Sequence, residues 1–194
     1  MSFLSLVGVE FKKIKRSKIF LILFVATVIL WIPSILNADM NFNMQAEGIS
    51  PENNFFIQGF MGMAWFMFPA SMVVGTVLLS QTERTNKGIL KMLALPISTV
   101  KLCLAKFVVL LALAASQILM MVGMYYISAA VVTGTQDYNF VLSPLFVFKE
   151  VGFIAVSTIP MLAFFWLLSV SIQTPIFSIG IGLASIVPSD LKSV

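Results

Sequence analysis

Hydrophobic positions fall along this chain in four long runs and one short one, at 19–36, 55–79, 107–132, 151–172 and 176–187, and no charged residue interrupts any of them. A stretch of roughly 20 apolar residues is what a helix needs to cross a bilayer. The pattern predicts an all-α, polytopic helical membrane protein. The 12 residues of 176–187 rise only about 18 Å as a helix, against a hydrocarbon core of about 30 Å, so this segment cannot span alone. Extension through Pro175 and past Pro188, a re-entrant course, or absence of a final span that a longer relative would have are the three readings. The last is favoured, because the tail Pro188 to Val194 reads as an abrupt stop, with Lys192 its one base beside Asp190. A single membrane domain over 1–194 is expected, with an amphipathic first helix and five apolar segments.

Residues 3–18 have a different period. At 100° per residue Phe3, Leu4, Val7, Phe11 and Ile14 share one face, while Ser5, Lys12, Lys13 and Arg16 lie opposite. That is the pattern of a basic helix lying in the membrane interface. A secretory signal also places bases before an apolar run, and Asn37-Ala38 resembles a cleavage site, but the run is too long and an amphipathic segment precedes the charges.

Charge then orients the spans. Lys12, Lys13, Lys15, Arg16 and Lys18 precede the first run, while 37–54 carries Asp39, Glu47 and Glu52 and no base. The gap at 80–106 holds Arg84, Lys87, Lys91, Lys101 and Lys106 against the one acid Glu83. By the bias of Lys and Arg toward the inner side, the N-terminus and 80–106 are cytosolic, and 37–54 and 133–150 are external, with Lys149 and Glu150 at the outer headgroups. Within 80–106, Ile89, Leu90, Leu93 and Ile97 fall on one helical face and Glu83, Lys87 and Lys91 make an i, i+4 ladder. Pro96 ends this short helix, and Ser98 or Thr99 can cap the next.

Composition excludes the soluble classes. Of 194 residues 59% are hydrophobic and 10% charged, with a mean hydropathy of +1.02, which no solvated globular surface can accommodate. The net charge of +4 is gathered beside apolar runs, so it reports topology rather than nucleic-acid binding. Cys103 is the one cysteine, so it forms no internal disulfide and reads as a small packing residue.

Absences narrow the chemistry. There is no histidine, no acidic or basic residue inside a run and no G-x-x-x-x-G-K-[ST] phosphate loop. Nucleophile, base and orienting group cannot be assembled, nor can a set of metal ligands. No catalytic or metal residues are therefore assigned. Coupling to an ion gradient would lack a carrier group within the membrane. The polar residues inside the runs, among them Ser71, Thr76, Ser116, Ser128, Thr158 and Ser169, suit helix-to-helix hydrogen bonds. Gln58 and Gln117 are the candidates for a weakly polar substrate path. A protein that moves cargo without its own energy source must receive the work through a contact. Only 80–106 is large enough, which singles out Glu83, Lys87, Gly88, Leu90 and Lys91.

At these residues a resemblance appears. Glu83-Arg84-Thr85-Asn86-Lys87-Gly88-Ile89-Leu90-Lys91, then Pro96-Ile97-Ser98 and Lys101, resembles the cytosolic loop of type-2 ATP-binding-cassette exporter permeases. Val9-Glu10-Phe11-Lys12-Lys13-Ile14-Lys15-Arg16 resembles that family's amphipathic first helix. The likeness is closest to the small permeases of lantibiotic and bacitracin self-protection transporters in the bacterial plasma membrane. It implies six spans per subunit, a second permease subunit of the same or another kind, and a cytosolic ATPase dimer that holds ATP and magnesium. The helix near 85–95 would dock on that ATPase, and an antimicrobial peptide would be expelled from the bilayer. A membrane anchor that recruits a cytosolic partner, and an immunity protein that sequesters peptide without ATP, are the rival readings.

Overall fold

The computed structural model describes residues 2–16, 18–84, 98–171 and 179–181. In chain order these form α1 (Phe3–Arg16), α2 (Ile19–Leu36), a 3-10 stretch (Ala38–Glu47), α3 (Pro51–Gly62), a π-helical turn (Met63–Met67), α4 (Phe68–Arg84), α5 (Thr99–Gln136) and α6 (Pro144–Ser171). No strand occurs among the described residues, and the all-α membrane architecture stands.

Local chemistry sets the helix ends. Lys18 adopts a left-handed φ of 56°, which breaks the run between α1 and α2. Asn37 closes α2 by donating both its backbone N–H and its side-chain amide to the Pro33 carbonyl, each at 3.0 Å. Two Ser-Pro pairs open helices: the Ser50 carbonyl accepts from Asn54 N–H at 3.0 Å and the Ser143 carbonyl from Val147 N–H at 3.2 Å. Pro51 and Pro144 each take the first helical position, where the missing N–H costs nothing and φ is preset. Ser98 caps α5, its hydroxyl accepting from Lys101 N–H at 3.3 Å. Asp137, at φ 49°, ends α5.

Among the described residues, three helical segments are long and apolar enough to cross a membrane: Ile19–Leu36, Val100–Gln136 and Pro144–Ser171. Only 22% of the most apolar window of the first and last is buried, against 44% for the middle one, so α5 carries most of the internal packing. Large apolar side chains such as Leu21, Ile22, Phe24 and Ile29 on α2 face outward. That arrangement suits a lipid surround.

The spans differ from the sequence pattern at several boundaries. The run at 55–79, expected as one span, is divided: α3 ends at Gly62, a π-helical turn follows, and the apolar part of α4 is the shorter helix Phe68–Leu79. The cause is Pro69, which has no N–H for the Trp65 carbonyl and whose ring crowds it. A π-helical turn is one way a helix absorbs such a defect. α5 begins eight residues before the expected 107, and α6 seven before 151, so the gap expected at 133–150 shrinks to 137–143. The loop residues 85–97 and most of the short segment 176–187 lie outside the described residues.

The chain divides into two compact units: Met1–Leu21, Pro69–Ala114 and Thr158–Val194 form the first, Ile22–Phe68 and Ala115–Ser157 the second. Leu6, Ile14, Met72, Val109, Leu113 and Leu162 are buried in the first, and Trp31, Phe55, Phe60, Tyr125 and Phe140 in the second.

Candidate functional site

In the first unit, α1 presents its residues unevenly. Leu6, Glu10 and Ile14 are buried at i, i+4 spacing, while Leu4, Phe3 and Phe11 are exposed at 80%, 38% and 37%. The expected apolar face of Phe3, Val7 and Phe11 is thus partly free to meet lipid. Ile14 turns inward. Lys12 is exposed, but Lys13 is not on a free basic face, because its Nζ donates to Glu10 Oε1 at 2.6 Å. The Arg16 side chain lies outside the described residues.

Lys106 on α5 is only 6% exposed. Buried charges persist only when paired, and Lys13 supplies that partner to Glu10. Glu10 is the functional candidate that the sequence pattern passed over. Its signal was present: one acid in a basic helix, aligned with the apolar Leu6 and Ile14.

Elsewhere in this unit Thr76 Oγ1 donates to the Val73 carbonyl at 2.8 Å, and Ser169 Oγ donates to the Thr76 carbonyl at 3.3 Å, joining α4 to α6. These two residues serve helix packing. An open apolar groove of about 460 Å³ runs between Val100, Cys103, Leu104 and Phe107 on α5 and Ala163, Trp166 and Leu167 on α6. Cys103 takes part as an apolar lining residue.

In the second unit Trp31, Phe55, Phe56, Phe60, Tyr125 and Phe140 form a continuous aromatic cluster, with ring centroids 4.6 to 6.4 Å apart. The Tyr125 hydroxyl donates to the Phe140 carbonyl at 3.2 Å and accepts from Leu142 N–H at 3.1 Å. Thr133 Oγ1 accepts from Phe140 N–H at 3.0 Å. These bonds fasten the 137–143 connection to α5.

Tyr138 donates its hydroxyl to a carboxylate oxygen of Glu52 at the start of α3. Burial pushes the Glu52 carboxyl up, yet hydrogen bonds from Tyr138, its own backbone N–H and Ser50 together hold it below the usual value. The bond to Glu52 pushes the Tyr138 phenol up.

Of the two path candidates, Gln58 is exposed and its amide donates to Asn54 Oδ1 at 3.2 Å. Gln117, 2% exposed, is buried on α5. Both belong to the second unit. In that unit Trp31 Nε1, Asn41 Oδ1, Asn54 Nδ2 and the Tyr126 hydroxyl are buried without a hydrogen-bond partner.

Glu83 has its backbone in the last turn of α4. Its side chain, together with Lys87, Gly88, Leu90 and Lys91, lies outside the described residues. Among the described residues no three His, Cys, Asp or Glu side chains are grouped to hold a metal ion.

Residues 6–189 match the model of a protein family described as ABC-2 family transporter protein. No curated protein matches the chain, and no solved structure does.

Proposed function

We propose, because the chain belongs to the ABC-2 family of transporter proteins, that it works as the permease of an exporter that expels a lantibiotic or other antimicrobial peptide from the membrane. Membership makes it a membrane permease subunit of an ABC transporter. The direction, the cargo and the use made of 80–106 are our reading. Hydrolysis of ATP in a separate cytosolic ATPase dimer supplies the work, and a second permease, identical or different, completes the pathway. Glu83, Lys87, Gly88, Leu90 and Lys91 form the contact through which the ATPase acts. Gln58 and Gln117 offer hydrogen bonds to an amphipathic cargo.

One observation carries this reading: the family match runs across both basic segments and the apolar helices, and the longest basic gap separates α4 from α5. Such a gap can hand a push directly to two helices. Gly88→Pro removes a backbone donor and breaks a helix at about 3 kcal/mol, and Lys87→Glu reverses the charge of the contact. Recovery of the full chain from its native membranes is expected to bring a nucleotide-hydrolysing subunit with it, and each change is expected to lose that subunit. Retention of the subunit by both variants would remove the loop from the mechanism. Protection against peptide that persists with a hydrolysis-dead ATPase would favour sequestration over export.

A further inference from the structure

Ten consecutive residues, Ala38–Glu47, run as a 3-10 helix, although eclipsed side chains and poor hydrogen-bond geometry make runs longer than three or four residues uncommon. Such a stretch has little strength of its own, so its neighbours hold it. Three residues per turn put Ala38 and Asn41 on one side, each 2% exposed, while Met40 is 55% exposed and Asp39 and Asn43 are exposed as well. The stretch packs on α3. Phe42 sets its ring edge-on to Tyr138 at 5.5 Å and to Phe140 at 5.8 Å. Those two rings are fixed, Tyr138 by its bond to Glu52 on α3 and Phe140 through Tyr125 and Thr133. The ends of the stretch are marked by the Asn37 bonds to Pro33 and by Gly48, whose φ is 78°.

Closure has a cost. Asn41 Oδ1 on the stretch and Asn54 Nδ2 on α3 are buried with no hydrogen-bond partner, and Asn54 is 4% exposed. An acceptor and a donor left unmade in the closed form are each satisfied by water once the stretch lifts. We propose that Ala38–Glu47 is a hinged lid, shut by Phe42 against Tyr138 and Phe140 and driven open by hydration of Asn41 and Asn54. Lifting uncovers Phe140, which is 0% exposed when the lid is shut, and through it the aromatic cluster around Phe55. That an amphipathic cargo meets those rings is a consequence resting on the transport reading. The lid itself does not rest on it, and its test needs no ATPase.

The test is the rate at which a positively charged thiosulfonate modifies single cysteines in the full chain, on a Cys103→Ser background, in phospholipid nanodiscs that leave both faces open. Met40→Cys reports the outward side, and Ala38→Cys, which adds one sulfur, reports the covered one. Ala38→Cys is expected to react about tenfold or more slower than Met40→Cys. Phe42→Ala removes both ring contacts and is expected to speed Ala38→Cys about tenfold, with Met40→Cys unchanged. Asn54→Leu keeps the shape and leaves no amide to hydrate, and the exposed Gln58 that bonded it can turn to water. Ala38→Cys is then expected to slow about threefold or more. Leu162→Ala, a cavity in the core of the other unit, is expected to leave the rate unchanged. A packing role alone requires Asn54→Leu to speed the reaction. That result overturns the lid, as do equal rates for Ala38→Cys and Met40→Cys, no effect of Phe42→Ala, or a rise in Leu162→Ala as large as that in Phe42→Ala.

Discussion

A methyl group at Gly59 would place its carbon 2.5 Å from two ring carbons of Trp31. Trp31 is 1% exposed and held by Phe55, Phe60 and Tyr125, so the indole has nowhere to retreat. Gly59→Ala is expected to cost about 1–3 kcal/mol, the usual range for overpacking a core, read as a lower unfolding midpoint in detergent. Trp31→Phe added to it should recover part of the loss. An unchanged midpoint in Gly59→Ala would mean that the helices carrying these residues are not so closely opposed.

The Glu52–Tyr138 bond has a pH signature. The Glu52 carboxyl is lowered from its ordinary value, so its contribution is present above the unfolded carboxyl value of about 4.3 and is lost as pH falls through the folded one. The Tyr138 phenol is raised, so its contribution is present below the unfolded phenol value of about 10 and is lost as pH rises through the folded one. Exchange at the backbone of 137–143 should therefore stay flat from about pH 5 to 9, after correction for intrinsic rates, and rise outside that window. Tyr138→Phe should abolish the alkaline edge and shrink the acid one, since Ser50 and the Glu52 backbone still bond the carboxylate. A profile in Tyr138→Phe identical to that of the parent would show that the bond does not hold the connection.

At the scale of elements, the division of 55–79 turns on Pro69. Pro69→Ala restores a donor for the Trp65 carbonyl, and the π-helical turn at Met63–Met67 is then expected to convert to α-helix, with exchange over 63–69 slowing by about tenfold. Exchange that stays as fast as before would place the cause of the π geometry elsewhere.

The sequence pattern located every described apolar helix because charge-free runs are an unambiguous signal for bilayer burial. It misplaced ends. Ser50-Pro51 and Ser143-Pro144 lie before the apolar runs, yet each is a cap followed by the first helical position, so α3 and α6 start earlier than hydrophobicity suggests. Capping depends on side-chain oxygens and backbone carbonyls that a hydropathy pattern does not weigh. Glu10 was missed for a related reason. An acid on a basic helix looks like part of the solvated face until its burial beside Leu6 and Ile14 is seen.

For the whole molecule, topology is the claim on which the function depends. In a Cys103→Ser background, Asn139→Cys is expected to react with a membrane-impermeant maleimide added to intact cells, and Lys87→Cys only after permeabilisation. The reverse pattern would put the basic gap outside and disconnect it from any cytosolic ATPase. Asn139 tests the short connection between α5 and α6, where the described helices leave seven residues, 137–143, free of helix. The test reads orientation from both ends of α5.

The length of α5 has a further consequence. Its 38 residues extend about 57 Å, more than the roughly 40–45 Å of a bilayer with its headgroups. A rod longer than its solvent slab must lean or protrude. Lipids of longer acyl chain would draw the Ser98 to Lys106 end toward the headgroups, and shorter ones would push it further into water. Amide exchange over 99–106 in reconstituted vesicles should then vary with acyl length at constant headgroup, making bilayer thickness itself a control on how far this end reaches into water.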